Sequence, residues 1–140
     1  AIGSTLTGCD ELEPNASPNR MRISTLARAK RHGFPTFASV EPIPPGMFDR
    51  AFSVIALSYS FVDLFKIGLQ SGCRYTKKET LGFYNDVAEY WEAHPHTTPQ
   101  LYWKESFVKA SGINRDLLPG YCVPANYDLF NQDNNDYAVY

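Results

Sequence analysis

Gly33-Phe34-Pro35-Thr36-Phe37-Ala38-Ser39-Val40-Glu41-Pro42 is the stretch on which the fold turns. Gly33 can take the left-handed conformation that closes a helix, and Pro35 prevents that helix from continuing. Thr36 to Val40 include the β-branched and aromatic types that suit a pleated, buried surface. Pro42 has no N–H to give to a ladder, so the strand is expected to end by Glu41. Ser39 and Glu41 then stand at the strand's carboxyl end. Parallel α/β proteins bind ligands at that end, where variable loops are held by rigid strands. Glu41 is therefore the first functional candidate.

Upstream, Ser17-Pro18 opens a helix that runs to about His32, with Ile23, Leu26, Ala27 and Lys30 on one stripe. Before it, Ala1 to Thr7 reads as a buried strand, closed by the turn chemistry of Gly8-Cys9-Asp10. Downstream, the rigid loop Ile43-Pro44-Pro45-Gly46 leads to a helix from about Met47 to Ser58, with Phe48, Ala51, Phe52 and Ile55 on its apolar face. Val62 to Gln70 reads as a strand buried on both faces, apolar from Leu64 to Leu69 except for Lys66. A third helix runs from about Thr76 to His94, with Leu81, Tyr84, Val87, Ala88 and Trp91 as its stripe. Gln100 to Lys104 reads as a fourth strand and Glu105 to Ser111 as a short helix stopped by Gly112. The sequence beyond Pro119 reads as irregular, with a polar tail at 131–136. The expected fold is α/β: about four mostly parallel strands alternating with helices over residues 1–125, followed by a polar tail over 126–140.

The 140 residues suit one domain and fall short of a complete eight-stranded barrel. A net charge of -2 supplies no field to gather phosphates, which argues against a dedicated nucleic-acid binder. Arg20, Arg22, Arg28, Lys30 and Arg31 read most simply as a solvated helix face. No run approaches the length of a membrane span and the first residues do not resemble a signal peptide, so a soluble cytoplasmic chain is expected. The chain does not begin with methionine, as expected of a trimmed, processed or partial sequence. Cys9, Cys73 and Cys122 fit neither a disulfide framework nor a close-spaced metal motif, and read as reduced structural thiols. The sequon Asn15-Ala16-Ser17 carries little meaning without a secretory signal.

A parallel sheet gathers its strand ends on one side, so Ser4, Thr5, Ser39, Glu41, Lys66, Gln70, Lys104 and Glu105 form the candidate cleft. Such a set suits a ligand with amino and carboxyl groups, or one rich in hydroxyls. Lys66 is the most informative, because a lysine inside an apolar strand is either paired or functional. A structural role would pair it with Glu41. A catalytic one would make it a nucleophile whose pKa burial depresses. His94-Pro95-His96 sits on a proline-broken loop and reads as solvent-exposed. There is no nucleophile elbow, phosphate-cradling glycine loop or zinc spacing.

Thr36 to Pro42 followed by Val62 to Gly72 resembles the later strands of radical S-adenosylmethionine enzymes, closest to the spore photoproduct lyase-like and phage-borne groups. Glu13-Pro14-Asn15-Ala16-Ser17-Pro18-Asn19-Arg20 is similar to the family's Glu-Pro loop before an arginine-led helix. Leu101-Tyr102-Trp103-Lys104-Glu105-Ser106-Phe107 is similar to its final strand segment in the phage-borne relatives. The resemblance implies the second half of a six-stranded partial barrel. It implies S-adenosylmethionine and a 4Fe–4S cluster as cofactors of the complete protein, with Ser4, Ser39, Glu41 and Lys66 on the cofactor side and Gln70 and Lys104 facing substrate. The family's Cys-x3-Cys-x2-Cys triplet is absent from this chain. The resemblance therefore implies a cluster-bearing N-terminal half, in the same or a separate chain, as partner. A nucleic-acid role follows only from the photoproduct lyase likeness. The alternative is a non-enzymatic half-barrel that binds a small polar ligand or a partner chain, or self-associates through an exposed sheet edge.

Overall fold

The computed structural model describes residues 1–130, so most of the expected polar tail lies outside the described residues. Four strands, β1 (Ile2–Thr5), β2 (Thr36–Ile43), β3 (Leu64–Leu69) and β4 (Gln100–Trp103), lie in the order β1-β2-β3-β4. Every pairing is parallel. Helices α1 (Asn19–Arg31), α2 (Phe48–Ser58) and α3 (Lys77–Ala93) make the crossovers, and α4 (Glu105–Ser111) follows β4. Sequential parallel neighbours joined by helices give an arc of a β/α barrel, and the α/β architecture expected from the sequence is the one present.

Strand alternation decides which side of the arc is covered. Ala38 and Val40 of β2, Phe65 and Ile67 of β3, and Leu101 and Trp103 of β4 share one face by register, and all are buried. They form one core with Leu26 of α1, Ala51 and Ile55 of α2, Phe83, Val87 and Trp91 of α3, and Phe107 of α4. The helices therefore pack on a single face. The opposite face carries Phe37, Ser39, Lys66, Tyr102 and Lys104, each half-buried.

Several local expectations are corrected. β2 does not stop at Glu41 but continues through Pro42 to Ile43, with a cis peptide between Glu41 and Pro42. Val40 pairs with Ile67 and Ile43 with Leu69, so three steps on β2 match two on β3. Pro42 sits in that bulge, where the ladder asks no N–H of it. β1 is an edge strand, largely exposed rather than buried. The buried stripe of α3 is Thr80, Phe83, Val87 and Trp91; Leu81 is exposed and Tyr84 half-buried, so the helix is rotated from the face expected. The segment beyond Pro119 is not wholly irregular, because Cys122 bridges Leu101 in parallel and Val123 N–H donates to the Leu101 carbonyl at 2.9 Å.

Helix starts follow from side-chain chemistry. Thr76 and Glu79 form a reciprocal capping box at α3. At α1 the expected Ser17 cap is absent. Asp10 instead accepts from the backbone N–H of Asn19 at 2.7 Å and from its Nδ2 at 2.6 Å. These bonds favour the ionised carboxylate, and that of the backbone N–H is foremost in holding the Asp10 pKa below its ordinary value. A depressed folded-state pKa gives stability that is present above the unfolded value of about 4 and lost as pH falls through the folded one. Asp10→Asn is therefore expected to unfold more easily than the parent at pH 7, with the gap closing on acidification. Urea unfolding at pH 7 and pH 3 checks this, and an unchanged gap would contradict it.

Candidate functional site

The uncovered face of the sheet is ordered in rows across the strands. Gly3, Phe37, Leu64 and Gln100 form the row nearest the amino ends, and Thr5, Ser39, Lys66 and Tyr102 the next. Glu41, Gly68 and Lys104 meet at the carboxyl ends. Lys104 is held there by the turn from β4 into α4, where its N–H donates to the Ile67 carbonyl at 2.8 Å and its carbonyl accepts from Phe107 N–H at 3.0 Å.

The upper row is built around an absent side chain. A Cβ on Gly68 would lie 2.9 Å from Lys104 Cδ and 3.0 Å from Glu41 Oε2. Glycine at this point lets side chains from β2 and from the end of β4 meet across β3, and Lys104 Nζ donates to Glu41 Oε1. The two side chains are 33% and 29% exposed. Such a pair adds about 1 kcal/mol or less to stability. Its main effect is to fix a carboxylate and an ammonium on the open face.

The middle row differs. Glu41 is not the partner of Lys66, contrary to the structural role expected for that lysine. Lys66 Nζ lies 4.9 Å from the centroid of the Phe37 ring and has no carboxylate partner among the described residues. The Phe37 ring in turn lies across β1 at Gly3, where a Cβ would come within 2.1 Å of it. Cation–π contact at a half-exposed site contributes about 0.5–1 kcal/mol and satisfies none of the ammonium's N–H donors. A cleft of about 470 Å³ opens beside Lys66, lined also by Tyr102, Lys104, Glu105, Ser106 and Ala125. Arg115 leans over the Tyr102 ring at 5.5 Å and pairs with Glu105 at 3.2 Å.

Of the six residues that the resemblance puts on the cofactor or substrate side, Ser39, Glu41, Lys66 and Lys104 share the open face, and Ser4 and Gln70 do not. Ser4 is in register with Ala38, which puts it on the helix side of the sheet, beside a cleft lined by Ser17, Met21, Arg22 and Thr25. Gln70 is exposed beyond the end of β3, where its N–H is shared between the Tyr75 hydroxyl at 3.0 Å and the Ile43 carbonyl at 3.4 Å. Phe37, Gly68, Tyr102 and Arg115 were missed. Tyr102 was legible, since alternation with Leu101 and Trp103 puts it on the face of Lys104, and a glycine inside an apolar strand marks a close approach.

A larger cleft of about 640 Å³ lies at the opposite ends of the strands, with Lys30 and Asp63 in its wall. These two pair with each other, and Asp63 also accepts from Thr36 N–H at 2.9 Å. Their polar atoms are already engaged. Cys9 follows β1, Cys73 follows β3, and Cys122 lies against β4, where burial pushes its thiol up to about 12. The described residues contain no group of three or more histidine, cysteine or carboxylate side chains placed to hold a metal ion. His94 stacks on Tyr90 with ring centroids 4.2 Å apart. No helix among the described residues is long and apolar enough to cross a membrane. Set against models of protein families, curated proteins and solved structures, the chain matches none.

Proposed function

We propose that the open face at the carboxyl ends of the strands binds S-adenosylmethionine, and that the chain is the C-terminal part of a radical S-adenosylmethionine enzyme. The observation that carries this reading is the Glu41–Lys104 pair seated over Gly68 on the uncovered side of a parallel arc. It presents fixed charges of both signs on the open face, which suits a ligand with an amino group and a carboxylate. Glu41 Oε2 accepts from a ligand N–H or O–H, and Lys104 holds the Glu41 carboxylate toward the cleft. Lys66 stands one row deeper, facing the same space. When bound, the cofactor supplies the adenosyl group for radical chemistry. The cluster that chemistry requires is assigned to residues outside this chain.

Calorimetric titration of the full chain with S-adenosylhomocysteine tests the assignment. Glu41→Gln keeps the shape and removes the charge, and is expected to weaken binding about tenfold, the worth of one charge-assisted hydrogen bond. Undetectable binding by the parent, or equal affinity in the variant, overturns it.

A second reading is favoured by the edge of β1. Ile2 and Leu6 direct their N–H groups to β2, so alternation turns those of Gly3 and Thr5 outward. Beside them Arg22 donates to the Thr5 carbonyl at 2.6 Å and to Glu13 at 3.2 Å, while its Nη2 is buried without an acceptor among the described residues. An edge with free donors is a template for another strand. In this reading the half-barrel is completed by a second chain. Sedimentation velocity showing a concentration-dependent dimer in the absence of cofactor would favour it, and a strict monomer would remove self-association.

A further inference from the structure

Ser39, Lys66 and Tyr102 stand side by side on β2, β3 and β4. All three are half-buried, and none of their side-chain donors has an acceptor among the described residues. The surrounding charges do not supply one. Glu41 is taken by Lys104 and Glu105 by Arg115, which leaves Lys66, among the described residues, as the unneutralised charge of the cleft. A half-buried ammonium at the wall of the cleft, flanked by two hydroxyls without an acceptor among the described residues, is an incomplete hydrogen-bond set. What completes it is an anion with several acceptor oxygens. Neighbouring strands are about 4.8 Å apart, so Lys66 has Ser39 beside it on one strand and Tyr102 on the other.

We propose that the Ser39–Lys66–Tyr102 row is the receptor for the anionic group of a small-molecule substrate, a phosphate or a carboxylate. Lys66 supplies the charge, and the hydroxyls of Ser39 and Tyr102 donate to the oxygens. Phe37 keeps the ammonium in place from below. This rests on the reading that the open face is the ligand-binding face, and on no property of the cofactor. Lys104 takes no part, because its charge is already matched by Glu41.

The test is amide chemical-shift titration of the full chain with inorganic phosphate and, separately, with acetate. Saturable shifts centred on residues 39, 66 and 102 with either anion are expected. Lys66→Met keeps the methylenes over Phe37 and is expected to raise Kd at least tenfold. Tyr102→Phe and Ser39→Ala remove one hydroxyl each and are expected to raise it about three- to tenfold. Lys109→Met, an exposed lysine on α4, is expected to change nothing. Shifts that do not saturate, or that Tyr102→Phe and Lys66→Met both leave unaltered, overturn the proposal.

A competition arm separates the sources of the anion. S-adenosylhomocysteine displacing phosphate, where 5′-methylthioadenosine does not, would give the seat to the cofactor's carboxylate and overturn the substrate assignment. Phosphate bound equally with or without S-adenosylhomocysteine supports it. Phosphate bound at this row by a chain that binds no S-adenosylhomocysteine would sink the cofactor reading and leave the receptor standing.

Discussion

Trp103→Ala is expected to lower the free energy of unfolding by about 3–5 kcal/mol, the range for removing a large aromatic side chain from a packed interior. Trp103 is 1% exposed and sits where β4 meets α3 and α4. Its ring lies 4.4 Å from that of Phe107, 5.3 Å from Tyr84 and 6.1 Å from Phe83, centroid to centroid. No single neighbour can move to fill the space, because the contacts come from two helices fixed by their own cores. The effect also reaches the open face. Tyr102 precedes Trp103 on β4 and Lys104 follows it in the turn into α4, so loss of its anchoring lets β4 shift and spreads the row that holds Lys66. Chemical denaturation gives the stability change, and Trp103→Phe, which keeps an aromatic body, is expected to recover more than half of it. A loss below about 1 kcal/mol would mean that β4 is not packed as described.

Gly8→Ala is the second large effect, at about 2–4 kcal/mol, and it has two separable causes. Gly8 has φ of +74°, in the left-handed region that side chains disfavour. A Cβ there would also lie 2.6 Å from the Arg50 carbonyl oxygen and 2.9 Å from its carbon. Those are backbone atoms of α2 and cannot swing aside as a side chain can. Gly72 provides the comparison, with φ of +76° and nothing within 4 Å of a built Cβ. Gly72→Ala is expected to cost only the conformational part, about 1–2 kcal/mol. The excess at Gly8 measures the collision between the first loop and α2. Equal destabilisation at the two positions would show that the loop yields freely.

The residues of the first loop tie the start of α1 to the edge of β1. Thr7 N–H donates to Asn19 Oδ1 at 3.0 Å, and the Thr7 hydroxyl to Glu13 at 2.7 Å. Arg22 joins Glu13 and the Thr5 carbonyl to the same network. Displacing Gly8 therefore disturbs the start of α1 and the outer edge of β1 together. That edge is the surface on which the partner reading depends.

Much of the architecture is legible in the sequence. The Gly33–Pro35 stop, the β-branched run after it and the 3.6-residue stripe of α2 are local patterns that fix element type through backbone sterics and side-chain direction. Alternation of helices and strands then leaves few arrangements besides a parallel sheet. The candidate cleft was legible only as a set of residues near strand ends, of which Ser39, Glu41, Lys66 and Lys104 share one face.

Partner choice was beyond the sequence. Which ammonium meets Glu41 depends on register between strands more than 60 residues apart, on the bulge at Pro42, and on Gly68 leaving room for the contact. Register slips by one reverse every side chain, and single-sequence periodicity has no access to that phase. Ser4 failed for this reason, since its place near a strand end says nothing of which face it takes. The sequence alone determined which segments are strands and helices and which polar residues lie near the carboxyl ends. The tertiary structure decided that Glu41 is neutralised by Lys104 and that Lys66 has no acceptor among the described residues, because hydrogen bonds and ion pairs are settled by distances that only the packed sheet defines.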